Sequence, residues 1–259
     1  MEFRDQVLQK LVTNLQSMDD VFAVWEGGSA ANSTTDQYSD VDISILGTEE
    51  NESIFAKVKE SLSSISGISH IWNEPKSIWP DLTQKVYFLK DSPKHFFVDV
   101  AVFPKNATSI LSEFMQIERH GKPVIHFDKS GLIVTKSADK KALFEKHQKR
   151  LSEIVASFPV YRTEVYKELD RGNGVDAVVY FQAAMLKQLV EVLGMLHRPY
   201  HFDFGFRYLK RSFPPDVYSF VEKCSFVSDL KMLRVIAGET EELFYKSVDQ
   251  VKDNILREL

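Results

Sequence analysis

Asp40 and Asp42 stand two apart at the mouth of an apolar run, Ser39-Asp40-Val41-Asp42-Ile43-Ser44-Ile45-Leu46, and they follow a Gly27-Gly28-Ser29 turn. Side chains two apart on a strand project to the same face, so two carboxylates in a D-x-D can chelate one cation. Glycines let the backbone approach a ligand closely, and a Ser at a helix start caps the helix while nearby N–H groups face an anion. Carboxylates are the hard oxygen ligands that Mg²⁺ takes alongside substrate phosphates. Either half alone would be an ordinary turn or a solvated strand end. In this order they read as a phosphate cradle followed by a metal clamp.

A third acid fits the same chemistry. Asp99 lies inside His95-Phe96-Phe97-Val98-Asp99-Val100-Ala101-Val102-Phe103, with apolar residues on both sides. Such a run predicts a buried central strand, where an unpaired carboxylate is costly or stays protonated. An Arg partner or backbone N–H groups would compensate the charge. A second Mg²⁺ shared with Asp40 and Asp42 accounts for the position better, because divalent cations are the strongest local charges available.

The Gly-Ser turn, the polar connector, the Ser39-Asp40-Val41-Asp42 strand entry and the later lone Asp99 together resemble the nucleotidyltransferase superfamily that includes DNA polymerase β. The nearer resemblance is to the aminoglycoside nucleotidyltransferases, through Gly28-Ser29-Ala30 and Ser39-Asp40-Val41-Asp42. Gly121 to Gly131 resembles the segment that closes the catalytic domain in these enzymes, with a turn at Asp128 to Gly131.

The resemblance implies transfer of a nucleotidyl group, AMP from ATP or the equivalent from another NTP, to a hydroxyl of a small acceptor, with aminoglycoside-like antibiotics among the candidates. Asp40 and Asp42 would hold Mg²⁺ on the phosphates, and Gly28 and Ser29 would grip them through N–H groups. Asp99 would bind the second of two ions and take the acceptor's proton. Basic residues of the helical domain, Lys187 and Arg198, would contact the triphosphate. Two rivals are a sugar-nucleotide-dependent glycosyltransferase using the D-x-D and a non-catalytic nucleotide- or partner-binding module that kept the fold. The upstream Gly-Ser and Asp99 count against the first, and the intact trio of acids against the second.

Composition agrees with an enzyme of small molecules. The 259 residues carry 32 Lys plus Arg against 37 Asp plus Glu, a net charge of −5, which disfavours a nucleic-acid partner. Cys224 is the one cysteine, so no internal disulfide forms, and it reads as a small core residue. No leader and no apolar run near the ~18 residues of a membrane span is evident, so the expected location is cytoplasmic. Oligomeric state is left open.

The elements that must position these residues change character near residue 140. Residues 1–139 alternate apolar runs with helical stretches, predicting an α+β fold: a mixed-sheet catalytic domain with strands at 21–25, at the D-x-D, and near 68–72, 85–89 and 96–103. Residues 140–259 predict a helical bundle, with pieces at 140–157, 160–171, 174–197, 204–212, 215–223, 226–237 and 239–258. The basic cluster Lys140, Lys141, Lys146, Lys149 and Arg150 is expected to coat a solvated helix. Glu164, Glu168, Asp170, Asp176 and Asp203 are candidate partners for a cationic acceptor, or plain solvating charges.

Overall fold

The computed structural model describes residues 2–75 and 82–258, with side chains to Ile255. The chain is α+β and divides into two compact units, Met1–Ala138 and Asp139–Leu259.

The first unit is built on a six-stranded mixed sheet of order β3-β4-β5-β2-β1-β6. Its strands are β1 (Val21–Glu26), β2 (Val41–Gly47), β3 (Ile68–Asn73), β4 (Thr83–Leu89), β5 (Val98–Pro104) and β6 (Val124–Asp128). β2 and β5 pair parallel, and the other neighbours pair antiparallel. The helices α1 (Phe3–Gln16) and α3 (Glu52–Ser63) cover one face, burying Val7, Leu11 and Leu15 from α1 and Ile54, Phe55, Val58 and Leu62 from α3. Spacings of three and four put those side chains on one stripe of each helix, and Val41, Ile43, Ile45, Val98, Val100 and Val102 meet them from the sheet. On the second face a smaller cluster joins Ala23, Trp25, Leu46 and Phe103 to Ile110, Leu111 and Met115 of the segment holding α4 (Thr108–Phe114).

All five strands predicted from apolar runs exist. β6 is the addition. Its residues alternate poorly between buried and exposed, so no period-two signal marks it. The turn expected at Asp128 is present: Asp128 Oδ1 accepts from the N–H groups of Ser130 and Gly131 at 2.9 and 2.8 Å, and Oδ2 accepts from Ile133 N–H at 3.0 Å.

The second unit is helical, and its helices depart from expectation at four points. The first, α6 (Lys140–Arg171), runs straight through Pro159, where a break was predicted. A mid-helix proline costs about 3 kcal/mol. Packing on both sides offsets that cost: Leu151, Ile154 and Phe158 precede the proline, Val165 and Leu169 follow it, and all are buried. Asp139 caps the start by accepting from the N–H groups of Lys141 and Ala142, and Gly172 ends the helix at φ 75°.

The stretch predicted as one helix at 174–197 comprises α7 (Gly174–Tyr180), a π-helical turn (Phe181–Leu186) and α8 (Lys187–His197). It is the one described stretch apolar enough by composition to cross a membrane, yet 61% of its apolar window is buried inside the protein, as befits a core helix. At 204–212 only α9 (Leu209–Ser212) is helical, because Gly205 at φ 59° and Tyr208 at φ 63° break the helical path. After α10 (Pro215–Ser225), the two helices predicted at 226–237 and 239–258 are one, α11 (Leu230–Glu258). Gly238 costs about 1 kcal/mol in mid-helix. Burial of Leu233, Ile236, Ala237, Phe244 and Val248 along the same helix outweighs it. Cys224 is fully buried, as expected of a small core residue.

Phe158 and Phe244 join α6 to α11, stacked at 3.6 Å between ring centroids and both fully buried. Phe158→Ala should cost about 3–5 kcal/mol in chemical denaturation, and the double substitution with Phe244→Ala should cost less than the sum of the singles because the rings share one cavity.

Candidate active site

β2 and β5 are in register, so Asp42 lies beside Asp99. Their neighbours Val41, Ile43, Val98 and Val100 enter the core beneath α1 and α3. Alternation therefore turns both carboxylates to the second face of the sheet. Asp40 sits just before β2, and its Oδ1 accepts from the N–H of Phe97 at 3.0 Å, which ties it to the entry of β5. Gln84 of β4 donates its amide to both oxygens of Asp99, at 2.8 and 2.7 Å.

These acids are electrostatically strained. Burial, only partly offset by the Gln84 hydrogen bonds and reinforced by repulsion from Asp42, Glu74 and Asp40, pushes the Asp99 pKa up to about 6. Burial also pushes Asp40 up to about 6, against the Phe97 N–H and with added repulsion from Asp42. The predicted trio of acids is thus brought together and interacts.

The glycine turn leads directly onto them. Gly27 N–H donates to Asp42 O at 3.0 Å. Gly28, first residue of the short helix α2 (Gly28–Ala31), has φ 51°, and a Cβ placed there would lie 1.8 Å from Asp42 Oδ2. Glycine is required at this position on both counts. Ser29 and Gly28 hold the turn closed through their carbonyls, which accept from Thr34 N–H at 2.9 Å and Asn32 Nδ2 at 2.7 Å.

Lys187 and Arg198 belong to the second unit. Lys187 opens α8 and is exposed. Arg198 is buried, and its guanidinium donates to the carbonyls of Arg207, at 2.5 Å, and Gly205. Those hydrogen bonds hold the 205–207 loop, a role invisible in sequence because the acceptors are backbone. The helical acids are also largely committed: Glu164 to Lys167, Glu168 to Arg171 and Asn173, and Asp170 to Arg234. In the basic cluster Arg150 holds the buried Glu191 with two nitrogens, at 2.7 and 3.1 Å.

Gln84, Arg4, Glu26 and His126 escaped the sequence reading. Gln84 and Asp99 are fifteen residues apart and meet only through strand pairing. Arg4 Nε donates to Asp40 O at 3.1 Å and its Nη2 donates to Glu26, while His126 Nε2 lies 3.2 Å from the other Glu26 oxygen. Burial works to raise the Glu26 pKa, but hydrogen bonds from His126 and Arg4 and their charges prevail and hold it below the ordinary value.

A divalent cation can be tested against these residues. No three His, Cys, Asp or Glu side chains among the described residues are gathered tightly enough to grip a metal as they stand. Asp40 is turned to Phe97 and Asp99 to Gln84, so the acids are neighbours and not a closed cage. Their chemistry nonetheless suits a hard cation: the donors are carboxylate oxygens whose mutual repulsion raises their proton affinity, and positive charge relieves it.

No protein-family model and no curated protein matches the chain. A crystal structure of spectinomycin adenyltransferase AAD(9) from Enterococcus faecialis, with ATP and spectinomycin, is similar over 96% of this chain and 99% of its own, at 10% identity and a TM-score of 0.35.

The raised pKa of Asp99 has a signed consequence for stability. An acid whose folded pKa of about 6 exceeds its ordinary value of 3.8 favours folding when protonated, so its contribution is full below about pH 4 and is lost as pH rises through 6. Without divalent cations, Asp99→Asn should melt higher than the unsubstituted protein at pH 7. The difference should shrink toward pH 5 in thermal scans.

Proposed function

We propose that the first unit transfers a nucleotidyl group from an NTP, ATP by preference, to a hydroxyl of a small acceptor. One observation carries this reading: Asp42 and Asp99 stand side by side on parallel strands, with the Gly28 backbone pressed against Asp42. An anionic phosphate at the glycine turn and a carboxylate at Asp42 repel each other, so the arrangement makes chemical sense when a cation joins them.

In the proposed reaction an acceptor hydroxyl oxygen attacks the α-phosphorus. The new O–P bond forms as the bond to pyrophosphate breaks, and the hydroxyl proton passes to Asp99. A base with a pKa near 6 is ionised at neutral pH yet still basic enough to draw a proton in the transition state. Gln84 orients that base by holding both of its oxygens. The N–H groups of Gly28 and Ser29 face the phosphates. When bound by Asp40, Asp42 and Asp99, Mg²⁺ would supply positive charge against the attacking and leaving oxygens.

The acceptor's class follows from what shares the face. On β2, β4 and β5 the positions on the same face as Asp42 and Asp99 include Ser44, Gln84, Val86, Phe88 and Ala101, with Phe97 just before β5, and none of these is cationic. Phe88 and Phe97 lie 5.8 Å apart between centroids and offer an apolar floor beside the acids. A neutral or cationic hydroxylated ring suits this face better than a polyanion, in keeping with a net charge of −5.

Pyrophosphate release from ATP with Mg²⁺, measured across neutral, cationic and phosphorylated hydroxylated acceptors, tests the reading. Asp99→Asn should lower kcat by about 10²–10⁴-fold with little change in KM for ATP. Gly28→Ala should raise KM for ATP and lower kcat together. Retention of full activity by Asp99→Asn, or absence of Mg²⁺-dependent ATP binding by calorimetry, would remove the assignment.

A further inference from the structure

Glu26 has no part in the transfer chemistry, yet it is 3% exposed among apolar neighbours. It closes β1 immediately before the glycine turn, on the side of the sheet where α1 packs. Arg4 of α1 donates to one oxygen, and the ionised carboxylate can only accept, so His126 Nε2 donates to the other at 3.2 Å. His126 comes from an irregular stretch of β6: Val24 pairs with Phe127 while Trp25 pairs with Ile125, so His126 is the extra residue of a bulge. Bulges re-aim side chains and recur beside active sites. Here the bulge delivers a donor to Glu26.

From Glu26 two short paths lead to the acids. Arg4 donates through Nε to Asp40 O at 3.1 Å while it holds Glu26, so one guanidinium fixes the entry to β2 against the end of β1. Along the backbone, the next residue, Gly27, donates to Asp42 O at 3.0 Å and leads into Gly28. The glycine turn and the D-x-D are therefore referenced to one buried carboxylate.

Stability alone does not account for such a group. A buried ion pair is weak evidence of stabilisation, since apolar residues of similar volume serve as well or better. The surrounding Val24, Val41 and Ile43 are the apolar solution to the same burial. What a planar guanidinium gripping a carboxylate and a carbonyl adds is fixed geometry.

We propose that Glu26, with Arg4 and His126, is a positioning residue that sets the spacing between the phosphate-facing glycine turn and the Asp40–Asp42 segment, so that a divalent cation can join nucleotide to carboxylates. This rests on the transfer reading above. Glu26 itself touches neither nucleotide nor acceptor.

The experiment is calorimetric titration with α,β-methylene-ATP, which cannot release pyrophosphate, in the presence of Mg²⁺ and with EDTA, alongside thermal scans. Glu26→Gln should weaken Mg²⁺-dependent binding by at least about tenfold at temperatures well below its Tm, in line with the loss on removing a supporting group behind metal ligands. Arg4→Lys, which keeps the charge but cannot span Glu26 and Asp40 O, should do the same with a smaller change in Tm, and it serves if Glu26→Gln does not fold. Val58→Ala, a buried change on α3 away from the site, should lower Tm and leave binding within twofold of the unsubstituted protein. Binding within twofold in both Glu26→Gln and Arg4→Lys overturns the inference, as does an equal loss in Val58→Ala, which would make the effect one of stability. Failure of the unsubstituted protein to bind the analogue overturns the transfer reading instead.

Discussion

Pairing β2 parallel to β5 in the register that sets Asp42 beside Asp99 forces two like charges together on one half-buried face, and the surroundings of the site answer that repulsion. Gln84 spends its amide on Asp99, and the Phe97 N–H is spent on Asp40. Neither is enough, and both acids keep a pKa near 6. Glu26 shows that the fold can do better. On the opposite face another buried acid, given Arg4 and His126, is held below its ordinary value. One sheet thus carries a satisfied carboxylate on one side and strained carboxylates on the other. Valine fills the adjacent positions 41 and 98, which point to the helix-covered face and are fully buried.

The cluster of acids and its glycine turn were legible because they use few residue types at fixed spacing. Gly28, Asp40, Asp42 and Asp99 stand out as small or charged residues at the ends or middles of apolar runs, and those runs became β1, β2 and β5. The supporting residues were not legible. Gln84 falls just before the strand expected near 85–89, Arg4 lies on the opening helix without a marked role, and His126 belongs to a strand with no periodic signal. Each acquires meaning only from a partner 15 to 100 residues away in sequence, and strand register is a long-range property.

In the helical unit the structure departs from local sequence signals in both directions, because punctuation residues set only a local cost. Pro159 and Gly238 fall at the gaps between expected helices, yet each lies in a helix whose buried stripe outweighs a penalty of about 1–3 kcal/mol. At 204–208 an apparently helical, aromatic-rich segment gives way to turns, where Tyr208 takes φ 63° and Arg198 draws two carbonyls onto its guanidinium. A basic residue at a helix end looks available in sequence. In the fold it is the anchor of its own loop.

Departures from local rules can be sorted by what sustains them. Pro159 is sustained by core packing and asks for no further explanation. In the first unit, Gly28 at φ 51°, Ser33 at 54° and His95 at 72° all fall in the segments that lead into the acids, and the β6 bulge lies beside β1 as it approaches the same turn. A non-glycine residue at positive φ costs of order 1 kcal/mol or more. His95 stands two residues before Phe97, whose N–H meets Asp40, so its strain sits in the turn that delivers that hydrogen bond. Apolar packing does not require any of these features, since the buried stripes of α1, α3 and the sheet are complete without them. What they share is a common effect on the backbone around Asp40, Asp42 and Gly28. The two described non-glycine positive-φ residues of this unit, Ser33 and His95, thus both lie in the connections that lead into Asp40 and Asp99, while the rest of the unit is consistent from propensity to packing.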